Sequence, residues 1–229
     1  MKYSWILFDA DDTLFDFGAA AEASLRLTFQ QSGYPFEDRY LAVYERINRQ
    51  FWSDFEKGLV APKDLRSKRF EMFLTAIEIV GNAIDFGWRY LKNISNDTTL
   101  IDGAEEVIEQ LARDTRLMLI TNGLQEVQRP RFAQTPIRPY FEDIVISDEV
   151  GSAKPEPKIF DVAFDLMGNP EKSKVLIVGD NLSSDIQGGI NYGIDTCWFN
   201  PEGKANAHNV ECRYEIKSLR ELLTLGELG

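Results

Sequence analysis

Five stretches of this chain are almost uninterrupted in their large apolar residues: SWILFD at 4–9, RLMLIT at 116–121, DIVIS at 143–147, KVLIVGD at 174–180 and IDTCWF at 194–199. A strand with one face in water alternates apolar and polar residues, so runs without alternation suit strands covered on both faces, as in a parallel sheet. Helical patterns sit between the later runs. Asp102 is placed to cap a helix through about Ala112, and Phe160, Ala163, Phe164 and Met167 mark one helical face closed by Gly168. Strand, helix, strand in that order predicts a doubly wound α/β core, Rossmann-like, with right-handed crossovers.

One interval breaks the rhythm. Residues 15–99 follow the first run and hold no convincing strand. Tyr44, Ile47, Phe51 and Phe55 share one helical face and Phe70, Phe73, Leu74 and Ile77 another, with Gly58, Pro62 and Gly81 between segments. The expected organisation is a Rossmann-like core of residues 1–14 and 100–229, with an all-helical lid or cap over 15–99 inserted after the first strand. At 229 residues the chain has room for one main domain and a sizeable insertion.

Charge narrows the partners. Lys plus Arg number 25 against 37 Asp plus Glu, a net charge of −12 with no basic block, which speaks against nucleic acid polymers and anionic membranes. The apolar runs are strand-length and the N-terminus turns acidic early, so the expected location is the cytosol. No obligate protein partner is indicated. Cys197 and Cys212 form no CxxC pair, and the one histidine, His208, lies in a polar loop near the C-terminus and reads as a surface residue. A histidine triad, a histidine metal cluster and a thiolate zinc site are all excluded as readings.

The first run ends in ILFDADDTLF, with Asp9, Asp11 and Asp12 inside four positions. Two like charges about 4 Å apart at an effective dielectric near 20 repel by roughly 4 kcal/mol, so the group needs compensation. A solvated turn capping the next helix would supply it; so would a divalent cation with a phosphate. Ligands of open α/β sheets bind beyond the carboxyl ends of the strands, near the switch in strand order. Asp9 ends the first predicted strand, Thr121 the second and Asp180 the fourth, so the topology gathers them at one rim. Lys154, on the loop after the third, can reach the same rim.

The pieces DADDT, ITNG, AKPEP and GDNLSSD, in this order, resemble the four motifs of the haloacid dehalogenase-like hydrolases, in the group with a helical cap after the first strand. WILFDADDTLF, DEVGSAKPEPKIF and VLIVGDNLSSDIQGGINYGIDTCWFN further resemble the YjjG-type pyrimidine 5'-nucleotidases, which dephosphorylate nucleoside 5'-monophosphates. LQEVQRPRFAQTPIRPYF departs from the pattern, since Pro130 and Pro136 fall where relatives carry an uninterrupted helix and a glycine-containing turn.

The resemblance implies a magnesium-dependent hydrolase of small phosphate monoesters. Asp9 would attack phosphorus and become an aspartyl-phosphate, and Asp11 would protonate the leaving group and then activate water. Thr121, with the backbone of Asn122 and Gly123, would hold a phosphoryl oxygen, and Lys154 would neutralise phosphate and nucleophile together. Asp9, the Asp11 carbonyl and Asp180 would hold Mg²⁺, with Asp185 holding a metal-bound water or Lys154. Asp12 receives no role beyond a solvated loop. Phe51, Trp52, Phe55 and Trp88 could stack a nucleobase or simply pack the cap. Two other fates share parts of this chemistry. A sugar-phosphate phosphatase or phosphomutase would use the same fold. A phospho-acceptor signalling module would set its acceptor aspartate after the third strand, where this chain has SDEVGSAKP.

Overall fold

The computed structural model describes residues 2–206 and 209–225; His208 lies outside the described residues. Its six strands are β1 (Trp5–Phe8), β2 (Arg116–Thr121), β3 (Phe141–Ile146), β4 (Val175–Gly179), β5 (Asp195–Phe199) and β6 (Tyr214–Ile216). They form one sheet in the order β3-β2-β1-β4-β5-β6, and every neighbouring pair is parallel. Leu7 lies opposite Met118 on one side and Ile177 on the other. The helices are α1 (Phe17–Ser32), α2 (Arg39–Glu56), α3 (Pro62–Arg66), α4 (Lys68–Ala76), α5 (Ala83–Ile94), α6 (Ala104–Leu111), α7 (Gln125–Gln134), α8 (Ser147–Val150), α9 (Pro157–Met167), α10 (Gln187–Tyr192) and α11 (Leu222–Leu225).

The apolar runs are continuous because both faces of the sheet are covered. Ile6, Phe8, Leu117, Leu119, Leu176 and Val178 point into one core layer, with Val107, Ile108 and Leu111 of α6 and Leu222 of α11. Trp5, Leu7, Met118, Ile120, Val175 and Ile177 point into the other, against Ile159, Phe160, Ala163 and Phe164 of α9. The expected α9 face is therefore the one that docks. Gly168 stops that helix at φ 80°, and the Asn169 N–H closes back on the Phe164 carbonyl at 2.8 Å, a glycine-terminated Schellman turn.

One local expectation needs correction, and two features were not foreseen. Asp102 does not cap α6: Gly103 holds the cap position at φ 79° and no side chain bonds the helix start, because Asp102 accepts from Arg220 Nη1 at 2.7 Å instead. Glu105 and Glu106 supply the negative charge that the exposed N–H groups of the first turn favour. The prolines do not break α7, which runs through Pro130 and stops before Pro136. β6 was not expected, because its three residues carry too little apolar pattern to register.

The chain divides into two compact units, one of residues 1–17, 99–125 and 132–229, the other of 18–98 and 126–131. The first contains the sheet. In the second, Phe29 lies at the centre of an aromatic cluster with Phe36, Tyr40, Phe73 and Phe86, at ring-centroid distances of 5.2–6.1 Å. Tyr44 and Phe70 both pack on Tyr90, each at 5.2 Å. The faces marked by Tyr44, Ile47 and Phe51, and by Phe70, Phe73, Leu74 and Ile77, are buried. Of the four aromatic residues considered for stacking, Phe51 is buried, Trp52 and Phe55 are half-buried edge to face at 5.7 Å, and Trp88 is 51% exposed. Arg66 and Glu126 form a two-pronged ion pair at 2.5 and 2.8 Å within this unit.

Candidate active site

β1 has β2 on one side and β4 on the other, so the strand order switches at the carboxyl end of β1, where an open α/β sheet binds its ligand. Asp9 is the first residue past β1. Its N–H donates to the Val178 carbonyl at 2.9 Å, which extends the ladder by one residue and fixes the carboxylate at the rim. The chain then turns sharply. Leu14 and Phe15 donate back to the Ala10 carbonyl at 3.0 and 2.9 Å, and Asp12 takes φ 60°, exposed to solvent. That placement suits an Asp without a chemical task, since Asp tolerates the left-handed region better than most side chains. Asp11 lies half-buried between them.

Asp180 follows β4 immediately, half-buried, and the chain continues into one wide helical turn, Leu182–Ile186. Asn181 caps the turn by accepting from the N–H groups of Ser183 and Ser184 at 2.9 and 3.2 Å. The turn returns Asp185 beneath the strand end, where Asp185 Oδ2 accepts from the Asn181 N–H at 3.1 Å. This fold-back requires Gly179: a Cβ there would stand 2.3 Å from Asp185 Cγ.

Lys154 arrives from the loop after β3 and is held at both ends. Its N–H donates to Asn122 Oδ1 at 2.7 Å while Asn122 Nδ2 donates to its carbonyl at 2.9 Å, a closed ring joining the loops after β2 and β3. Its ammonium, 1% exposed, lies 2.6 Å from Asp9 Oδ1 and 2.6 Å from Asp185 Oδ1, and donates to the Ile120 carbonyl at 2.8 Å. Thr121, also buried, ends β2 with its hydroxyl accepting from the Gly123 N–H at 3.1 Å, so hydroxyl and glycine amide belong to one tight loop.

The structure thus brings Asp9, Asp180 and Asp185 together, with one oxygen of each within 4.8 Å of the others. The Asp11 carboxylate is not among them; the expected contribution of Asp11 to a metal is its backbone carbonyl. Thr13 is a participant that the sequence left unassigned. It is fully buried, donates to Asp9 Oδ2 at 3.4 Å and accepts the Asp180 N–H at 3.1 Å, linking the Asp9 carboxylate to the Asp180 backbone. A hydroxyl four residues after the strand-ending aspartate, inside a tight turn, was the available signal. Trp198, whose Nε1 donates to the Asp180 carbonyl at 2.9 Å, carried none.

Burial and like charge set the electrostatics of the site. Burial pushes Asp9 up to about 7, Lys154 opposes the shift, and Asp185 and Asp11 reinforce it. Asp180 is pushed well above the carboxylate range by burial, then by Asp9 and Asp185. Burial alone would discharge Lys154, yet Asp185 and Asp9 outweigh it and hold the ammonium above the ordinary lysine value. Three buried or half-buried carboxylates thus share one ammonium. An all-oxygen donor set with about two negative charges in excess fits a hard divalent cation, and no nitrogen or sulfur ligand joins it among the described residues.

The haloacid dehalogenase-like hydrolase profile matches residues 3–193, and the chain belongs to that family. It is 34% identical to the pyrimidine 5'-nucleotidase YjjG of Escherichia coli (strain K12), with 97% of each chain covered. It is 31% identical to the pyrimidine 5'-nucleotidase PynA of Streptococcus pneumoniae, over 97% of this chain and 94% of that one. The crystal structure of the HAD-hydrolase YfnB of Bacillus subtilis, bound to magnesium, superposes with a TM-score of 0.92 at 33% identity, covering 98% of this chain and 99% of that one.

Proposed function

We propose that this chain is a magnesium-dependent phosphatase of small phosphate monoesters, with nucleoside 5'-monophosphates, pyrimidines foremost, as substrates. The observation that carries the proposal is the buried Lys154 ammonium 2.6 Å from both Asp9 and Asp185, with Asp180 beside them, so that three carboxylates share one positive charge. Nucleophile, anchor and cation site then lie at one sheet end, and the kinship with YjjG and PynA directs attention to pyrimidine nucleotides.

In the proposed reaction an Asp9 oxygen attacks phosphorus as the ester P–O bond breaks, and Asp11 gives its proton to the departing alkoxide. Water then attacks the aspartyl-phosphate while Asp11 takes back a proton, releasing phosphate and restoring both side chains. Lys154 keeps Asp9 aligned and balances phosphate charge, and Thr121 with the Asn122 and Gly123 amides holds a phosphoryl oxygen. Magnesium, held by Asp9, the Asp11 carbonyl and Asp180, would supply the positive charge that keeps Asp9 ionised in front of a phosphate. Asp185 acts through Lys154, orienting its ammonium. Thr13 positions Asp9 and Asp180.

The helical unit serves as cap in this scheme, and the substrate is the only partner required. No described helix is long and apolar enough to cross a membrane, which accords with the proposed cytosolic setting. Phosphate release should be measured with Mg²⁺ across pyrimidine and purine monophosphates and sugar phosphates. Pyrimidine monophosphates are expected to lead in kcat/KM. A sugar phosphate exceeding every nucleotide tenfold would overturn the nucleotide assignment, and no turnover of any ester would overturn the phosphatase.

A further inference from the structure

The three carboxylates at the sheet rim are not held alike. Asp9 is held directly: the Lys154 ammonium stands 2.6 Å from its Oδ1, and the Thr13 hydroxyl donates to its Oδ2 at 3.4 Å. Asp185 is held in the same way, by Lys154 at 2.6 Å and by the Asn181 N–H at 3.1 Å. The Asp180 carboxylate receives no hydrogen bond or ion pair among the described residues, although one of its oxygens lies within 4.8 Å of the other two groups. Its direction is therefore set through its own backbone.

That backbone has left the sheet. The last pair in register between β4 and β5 is Gly179 with Trp198, so Asp180 stands one residue beyond the ladder. Side chains take over both of its peptide groups. Thr13, in the turn after β1, accepts the Asp180 N–H at 3.1 Å, and the Trp198 indole, on β5, donates to the Asp180 carbonyl at 2.9 Å. A residue has only two soft backbone rotations, one on each side of its Cα. Holding the N–H on one side and the C=O on the other fixes both, and with them the direction in which Cβ leaves the chain. A buried indole, here 2% exposed, does need an acceptor. That need alone specifies no particular carbonyl; the one taken belongs to the residue whose N–H Thr13 already holds.

We propose that Trp198 is a positioning residue for the cation: together with Thr13 it locks the Asp180 backbone and so keeps the Asp180 carboxylate beside those of Asp9 and Asp185. The inference rests on the magnesium reading above. Mg²⁺ demands near-ideal octahedral geometry, so a ligand free to swing loses affinity, and removing a group that orients a metal ligand typically costs about 10- to 100-fold.

The test is the Kd of the full chain for Mg²⁺, measured by isothermal titration calorimetry at pH 8, where the fitted stoichiometry reports the folded fraction separately from Kd. Trp198→Phe keeps an aromatic ring and removes the N–H. Trp198→His does the reverse: it gives up the benzene ring, but imidazole Nε2 occupies the ring position of indole Nε1, and the side chain is neutral at that pH. Trp198→Phe is expected to raise Kd at least about tenfold, with Trp198→His closer to the parent. A packing role predicts the opposite order, because histidine leaves the larger void. A smaller rise in Trp198→Phe, or a Trp198→His variant as weak as Trp198→Phe or weaker, would overturn the proposal. If only one variant folds, the same tenfold line decides: Trp198→Phe must exceed it, or Trp198→His must stay within it. If neither folds, Trp198 is a packing residue and the proposal falls. A parent chain that binds no Mg²⁺ would end the magnesium reading and this proposal with it, whereas a parent that binds Mg²⁺ and an unaffected Trp198→Phe would end the proposal alone.

Discussion

Replacing Lys154 with Met separates the charge of the site from its packing. The ammonium stands 2.6 Å from one oxygen of Asp9 and 2.6 Å from one of Asp185. Opposite charges about 3 Å apart at an effective dielectric near 20 attract by roughly 5 kcal/mol, and removing one partner of a buried pair costs about 3–5 kcal/mol because the other charge stays behind. Asp9 has an escape, however. It titrates at about 7 when buried beside the lysine, against 3.8 for an ordinary aspartate. Between those values the folded chain binds more protons than the unfolded one, so stability falls as pH rises and levels off, for Asp9, once the pH passes about 7.

Lys154 is the main influence holding that value down. Without it the protonated form of Asp9 persists to higher pH, and the variant goes on losing stability by up to ~1.4 kcal/mol per pH unit where the parent has levelled. The variant should therefore be less stable at every pH, since Asp185 also loses its partner, and the gap should widen by about 2 kcal/mol between pH 7 and 8.5. Urea unfolding followed by circular dichroism, with EDTA present and a series of pH values from 6 to 8.5, measures the gap directly. A gap that stays constant over the series would refute the reasoning. Lys154 would then stabilise only through its stem and its bond to the Ile120 carbonyl.

Metal removal gives a second expectation: EDTA should abolish turnover, and Mg²⁺ at about 100 times its Kd should restore it and add ~2.7 kcal/mol of stability, or about 5–10 °C in Tm. A melting curve indifferent to Mg²⁺ would contradict the assigned ligand set, and Asp180→Asn should remove most of the shift. Asp9→Asn should leave neither product nor covalent intermediate. Asp11→Asn, given para-nitrophenyl phosphate, should release a burst near one equivalent and then stall with phosphate on Asp9, because that leaving group needs no acid while the attacking water still needs its base; steady turnover at the parent rate in rapid-quench kinetics would remove Asp11 from its role. Gly179→Ala forces a methyl to 2.3 Å from Asp185 Cγ and should cost about 1–3 kcal/mol together with most of the activity. Parent-like kcat in that variant would show that Asp185 does not position Lys154.

What the sequence disclosed depended on whether a residue's task left a periodic or motif-like trace. β1 to β5 were legible because a strand buried on both faces, such as RLMLIT, cannot avoid a run of large apolar residues. β6 was not, since an edge strand of three residues with Glu215 exposed at its centre carries no such trace. Asp102 read as a cap because side-chain capping is local, whereas its actual partner, Arg220, lies 118 positions away. The approach of Asp9, Thr121, Lys154 and Asp180 to one rim followed from topology alone. Thr13 did not, because a hydroxyl linking Asp9 to the Asp180 N–H has meaning only after β1 and β4 are set side by side.

Arg69 shows the opposite failure. At position 69 an arginine next to Phe70 and four residues before Phe73 reads as the polar edge of an apolar helix face, and only its 3% exposure reveals that it lies inside that face. The two units then share one physical property. The sheet unit gathers three carboxylates around one ammonium, and the helical unit encloses a guanidinium with one neutral acceptor; neither balances its buried charge from its own residues. A fold that needed only stability would fill both places with apolar side chains, since well-packed hydrophobic replacements of buried ion pairs are often neutral or stabilising.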